Sequence, residues 1–472
     1  MDCCLSLVTI IGFIAMLFAL TRRYFSSRGA KLLELPETWW TPGTEGSANN
    51  DIRPYKVTFS EEIVKDLKYR LKHTRPLTPP LKDVAWNYGT NTNTLHKLLD
   101  YWANEYNFEE REKFINQYLH FKTNIQGLDI HFIHVRPNNT EGKRVLPLLI
   151  VHGWPGSIIE FYKVIPLLTL PKPEHDFVFE VIAPSLPGFG FSSAATIPDL
   201  SAIQASVIFK NLMLRLGYDK YYVQGGDWGA QVIHTMSCLY PQHVLGMHSN
   251  FCITLTKWTL LKNILNLSSF LPWMNTKKTK KIGSSFSSFL LETGYYHIQA
   301  TKPDTVGVGL NDSPAGLAAY IIEKFSTGTN PFYKNREDGG FLEKYTYDEL
   351  IDNLMIYWVS NSMTTAMRIY AEMYTKSNRS LSARLESTPI KVPSACSQFP
   401  HEIMAIHPDV LRKRFVNLLR TTKMPRGGHF AAFEEPELLA NDIWISVDEM
   451  EKWNKKHRET IISEYEESKR SL

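Results

Sequence analysis

The spacing of apolar positions divides the chain into helical, strand-rich and again helical text. From Ser60 to Lys72, SEEIVKDLKYRLK places Ile63, Leu67 and Leu71 on one face behind a serine suited to cap the first turn, which predicts an amphipathic helix. Helical patterning resumes near Asn93 in TNTLHKLLDYWANEYN and continues to about Tyr118. Around Gly127 the period changes: LDIHFIHVRP alternates, VLPLLIVHGWPG is an apolar run closed by Gly and Pro, and FVFEVIAPSLPGFGFSS and KYYVQGGDWGA follow the same form. The helical SAIQASVIFKNLMLRLGY separates the last two. Strands alternating with helices predict an α/β fold, a mostly parallel sheet with helices on both faces.

Strand signals stop from about Cys252 to Tyr374, where LAAYIIEKFSTG and YDELIDNLMIYWVSNSMTTAMRIYAEMY read as helices, and return near IKVPSACSQFP. A helical block inserted between two halves of one sheet is the layout of a lid over an active site. The expected division is an N-terminal membrane anchor at 1–21, a wrapping and helical segment at 22–120 and the first half of the core at 121–251. A helical lid at 252–376, the second half of the core at 377–447 and a charged, solvated C-terminal helix at 448–472 complete it. Within the second of these, Leu35 to Val57 lacks periodicity and reads as linker.

The anchor rests on CCLSLVTIIGFIAMLFAL, Cys3 to Leu20, an uncharged run close to the roughly 20 residues that cross a bilayer. Asp2 precedes it and Arg22, Arg23, Arg28 and Lys31 follow, so the positive-inside rule keeps the body cytosolic and argues against a cleaved signal peptide. The expected location is therefore the endoplasmic reticulum membrane, crossed once. The lysines at 277, 278, 280 and 281 read as an exposed loop.

Composition removes other classes. A chain of 472 residues with 43% hydrophobic and 12% aromatic residues can bury a large core, and a formal charge of +4 gives no footprint for nucleic acid. Its five cysteines show no metal-type spacing and no disulfide framework. No ligand cluster suggests a metal, and no organic cofactor is expected.

Four stretches carry candidate chemistry. In GGDWG, Gly225 and Gly229 flank Asp227 as small residues flank a nucleophile on a strained strand-to-helix turn. HGWPG, His152 to Gly156, can bring the backbone N–H of Trp154 beside that of Trp228, two donors for an oxyanion. His429 in RGGHF follows the last strand, and Glu402 in FPHEI follows the strand before it, so Asp227, Glu402 and His429 keep the order nucleophile, acid, base. Asp352 and Asp409 compete with Glu402 for the acid's place.

HGWPGS, QGGDWG, TKPDTVGVGLNDSPAGLAAYIIEKFSTGTN and RGGHFAAFEEPELLA resemble the microsomal class of epoxide hydrolases over nearly the whole chain. FVFEVIAPSLPGFGFS and LYPQHVLGMHSN lean toward its arthropod branch, which includes juvenile hormone epoxide hydrolases. The resemblance implies two proton donors to the epoxide oxygen, Tyr295 and Tyr370, with Tyr296 and Tyr374 as adjacent rivals among 22 tyrosines. It also implies a lipophilic epoxide as partner, brought to the enzyme by the membrane, with juvenile hormone or a xenobiotic as candidates. A carboxylate nucleophile suits this chemistry because ring opening leaves an ester, which an activated water can clear, whereas a serine would leave an inert ether. The rival readings are a haloalkane dehalogenase, disfavoured by Trp154 where a halide-binding Asn is expected, and a hormone-binding protein without turnover, disfavoured by the complete catalytic set.

Overall fold

The computed structural model describes residues 33–43, 49–254 and 291–470. The predicted anchor, its basic flank and the lysine cluster lie outside them, and no helix among the described residues is long and apolar enough to cross a membrane. The described chain builds a nine-stranded sheet from β1 (Arg53–Tyr55), β2 (His120–Ile125), β3 (Leu128–Val135), β4 (Arg144–Val151), β5 (Phe177–Pro184), β6 (Tyr221–Gly225), β7 (Val244–Ser249), β8 (Ser394–Gln398) and β9 (Leu418–Lys423). Their order is β1-β2-β3-β5-β4-β6-β7-β8-β9. The first four are antiparallel neighbours, and the ladder from β5 through β9 is parallel.

The centre of the sheet is covered on both faces, which explains why β5 and β6 are buried at every position and are mostly apolar, with Glu180 and Gln224 as the exceptions. Register aligns the ends that matter: Val151 pairs with Gly225, Gly225 with Ser249, and Ser249 with Cys396. The loops after β4, β6, β8 and β9 therefore open on one edge of the sheet, where α/β folds bind ligands.

A helical layer covers that edge. Its helices are Gly294–Thr301, Pro303–Asp312, Pro314–Thr329, Tyr347–Ser360 and Met363–Met373. Tyr347–Ser360 grips the loop after β4: Tyr357 Oη donates to Gly156 O at 2.7 Å and Asn353 Nδ2 to Pro155 O at 2.8 Å. The N-terminal segment ties the layer from outside, with Tyr106 Oη and Arg111 both bonded to buried Asp352.

Three features differ from the expectation. The supposed linker contributes β1, a three-residue edge strand that pairs Arg53 with Lys122 and tolerates Pro54 because an edge needs only one partner. The helix before Gly127 ends at Ile115 instead of near Tyr118, and the strand text starts before Gly127, since His120 already begins β2. The tail does not begin at residue 448: one helix runs Pro436–Arg470, opened by a proline at its first position. Nor is it simply solvated, because Ile443, Trp444, Val447 and Met450 form a buried stripe at helical spacing.

Candidate active site

The turn after β6 is built by sterics. Asp227 opens the helix Asp227–Leu239 with φ +47°, a left-handed conformation that costs a residue with a β-carbon on the order of 1–3 kcal/mol. A β-carbon on Gly229 would lie 2.0 Å from the carbonyl oxygen of Val151, so only glycine lets this helix close on β4. The result presents the carboxylate at a helix N-terminus, where the aligned backbone dipoles favour negative charge.

The two oxygens of Asp227 face different groups. Oδ1 accepts the backbone N–H of Trp154 at 2.9 Å, and Oδ2 lies 3.2 Å from Nε2 of His429. On the far side of the imidazole, Nδ1 lies 2.6 Å from Oε1 of Glu402. That carboxylate accepts only, so Nδ1 carries the proton and the ring is oriented with Nε2 toward Asp227. Burial works against the charged imidazole, yet Glu402 and Asp227 outweigh it and hold His429 well above the usual histidine range. The side chains of His429 and Glu402 are 5% and 3% exposed against 20% for Asp227, so access runs through the aspartate. Trp228 follows Asp227 in the first turn, where helix N–H groups lack intrahelical acceptors.

The helical layer brings Tyr295 and Tyr370 to the same place. The Tyr295 ring stacks on Trp154 at 5.2 Å, and Tyr370 meets Trp228 edge-on at 4.8 Å and Trp154 at 5.9 Å. Burial, reinforced by the charge of Asp227, raises both phenols above their ordinary range and keeps them protonated. The neighbouring tyrosines are engaged with each other, Tyr296 Oη lying 2.8 Å from Tyr374 Oη. His152 is neutral and structural: burial lowers it to about 4, its Nε2 accepts Leu186 N–H at 3.1 Å and its Nδ1 is 3.0 Å from Gly153 O.

The competing carboxylates lie elsewhere. Asp352 is the buried partner of Arg111 and Tyr106, and Asp409 is on the surface beside Arg412. Two further carboxyl groups border the site without having been singled out in the sequence. Glu434 accepts the N–H of Phe430 at 3.0 Å, next to His429, and burial raises it to about 8. Glu160 lines the site below Trp154, and burial also brings it to about 8. The signal for Glu160 was a single charge within the apolar IIEF of Ile158–Phe161.

Known proteins resemble this chain over most of its length. Residues 52–161 match the epoxide hydrolase N terminus family and residues 147–252 the alpha/beta hydrolase fold. Juvenile hormone epoxide hydrolase 2 of Ctenocephalides felis is 51% identical over 415 residues, 87% of this chain and 88% of its own. Epoxide hydrolase 1 of Oryctolagus cuniculus is 44% identical, covering 93% of this chain and 97% of its own. The crystal structure of juvenile hormone epoxide hydrolase from the silkworm Bombyx mori superimposes with a TM-score of 0.84 at 46% identity, over 89% of this chain and 100% of that one. The fold is that of the α/β-hydrolases. Within it, the chain belongs to the epoxide hydrolase family.

Proposed function

We propose that the enzyme adds water to lipophilic epoxides in two covalent steps through Asp227, and that juvenile hormone is among its substrates. The observation that carries the mechanism is the division of labour at Asp227, with Oδ1 on the Trp154 amide and Oδ2 opposite His429. In the first step the carboxylate attacks an epoxide carbon as the bond from that carbon to the ring oxygen breaks; from the opposite side one of Tyr295 and Tyr370 gives the oxygen a proton, leaving a tyrosinate, while the other donates a hydrogen bond to it. Phenols held protonated in an apolar, water-poor setting suit that task.

In the second step His429, oriented by Glu402, takes a proton from water as it attacks the ester carbonyl. Esterification removes the negative charge of Asp227, which lowers the pull on the imidazolium and favours the neutral base that this step needs. The developing oxyanion lies against the N–H of Trp154, with that of Trp228 as second donor; such donors are typically worth about 2.7–4 kcal/mol each. Nothing in these steps calls for a metal or an organic cofactor. Replacing Asp227 by Ala should abolish diol formation in a folded protein, and unchanged turnover would overturn the mechanism.

The hormone assignment is supported by the names of the flea and silkworm relatives. It is tested by kcat/KM for juvenile hormone against a small aromatic epoxide, with the hormone preferred; the reverse order would assign the enzyme to xenobiotics. The uncharged run Cys3 to Leu20 and the basic residues after it support single-pass anchoring in the endoplasmic reticulum membrane with a cytosolic body. Retention in the membrane pellet after alkaline carbonate washing, with the body open to protease from the cytosolic side, is the expected result.

A further inference from the structure

Beside Asp227 lies a small cavity of about 20 Å³, enough for one water. The polar side chains on its wall are His152, Glu160, Gln224, Asp227, Asn250 and His429. Three are already engaged: Gln224 Nε2 donates to Asn250 Oδ1 at 2.9 Å, and both nitrogens of His152 face backbone partners. What remains around the cavity is the proposed nucleophile, the proposed base and one further carboxyl group.

Glu160 is brought there by its backbone. It sits in the 3-10 helix Ile158–Phe161, whose other side chains Ile158, Ile159 and Phe161 are buried in the core. Its Oε1 packs so closely on the α-carbon of Gly156 that a β-carbon there would overlap it. The Ser157 N–H bonds to the carboxyl group, which has two oxygens and so retains acceptor capacity for a water. A capping role alone would be met by Asn or Ser at the helix start and needs no second carboxyl buried beside Asp227.

We infer that Glu160 positions the water that hydrolyses the Asp227 ester, accepting one of its hydrogens while the other faces Nε2 of His429. The inference rests on the proposed ester route. The water oxygen bonds to Cγ of Asp227, its proton passes to His429, and the carbonyl π pair moves to the oxyanion at the Trp154 amide. The carbonyl then re-forms, the bond to the diol oxygen breaks, and that alkoxide takes the proton from His429. The second hydrogen of the water, left on the Asp227 carboxyl, returns to the tyrosinate formed in ring opening, so that Asp227, Glu160 and the tyrosine end as they began and one water has been consumed. Glu160 is thus a positioning residue of the second step and has no part in the first.

The test is single-turnover kinetics on the full-length Glu160→Gln and Glu160→Ala proteins, with acid quenching and mass analysis of the peptide that carries Asp227. Ester formation should keep its wild-type rate, and ester decay should slow about 10²-fold in the Ala variant and less in the Gln variant. In the steady state kcat and KM should fall together while kcat/KM stays level. Decay at the wild-type rate, or formation and decay falling in parallel as a general structural defect would cause, overturns the inference. The Gln variant preserves side-chain shape if Ala fails to fold. Failure of the wild-type protein to form any ester would instead refute the Asp227 route itself.

Discussion

Glu402 and Asp227 lie on opposite sides of one imidazole, at 2.6 Å from Nδ1 and 3.2 Å from Nε2 of His429. The ring is therefore held between an acid that orients it and the group it must later clear. Replacing His429 by Gln separates the two half-reactions. Ring opening should proceed and leave the protein heavier by the mass of one epoxide, while ester decay falls about 10²–10⁴-fold. Intact-mass spectrometry after mixing reads this directly; an unmodified protein would contradict it.

Glu402 and Asp352 give contrasting outcomes. Glu402→Gln removes the charge that raises His429, so the acid limb of kcat should move to lower pH while the maximal rate drops by about 10²–10⁴-fold, as when a triad acid is lost. Asp352→Asn should leave both half-reactions near normal but cost about 3–5 kcal/mol of stability, because Arg111 loses its buried partner. pH–rate profiles and denaturant titrations of the two variants should not resemble each other.

The lid phenols act on ring opening alone. Tyr295→Phe and Tyr370→Phe should each lower the rate of ester formation by about 10–100-fold, with a larger loss in the double variant and little effect on ester decay. Tyr296→Phe should have a smaller effect, since its hydroxyl is paired with that of Tyr374. A Tyr296 variant worse than Tyr295 would reassign the donor.

Stability should fall as pH rises from about 4.5 to about 8. Glu434 titrates near 4.5 when unfolded and at about 8 in the folded protein, chiefly through burial. Between those values the folded state holds a proton that the unfolded state has released, so stability declines from about pH 4.5 and levels off above about pH 8. The full effect is on the order of a few kcal/mol. Glu434→Gln, which cannot titrate, should gain in Tm over the parent as pH rises across that window; a constant difference would show that Glu434 is not protonated in the fold.

How much of this could be read in the sequence followed from how local each constraint is. The elbow was legible because Gly225, Asp227 and Gly229 answer to sterics within five residues, and His429 because two glycines precede it in a loop after the last strand. Glu402 was legible through strand order alone. β1 was not, since Arg53–Tyr55 becomes a strand only by pairing with β2, a contact nearly 70 residues distant in the chain. The tail misled for the opposite reason: its many charges hid the stripe of Ile443, Trp444, Val447 and Met450 that packs against the sheet. Glu160 is a single carboxyl in apolar text, and only the closeness of Gly156 and the cavity beside Asp227 give it meaning.

The most direct measurement of the central claim is one turnover with enzyme in excess in water labelled with oxygen-18. Attack by Asp227 predicts that the first diol carries unlabelled oxygen from the carboxylate, and that the label appears in the peptide containing Asp227. Label in the diol at the first turnover, with none in Asp227, would mean direct hydration of the epoxide and would contradict the ester mechanism.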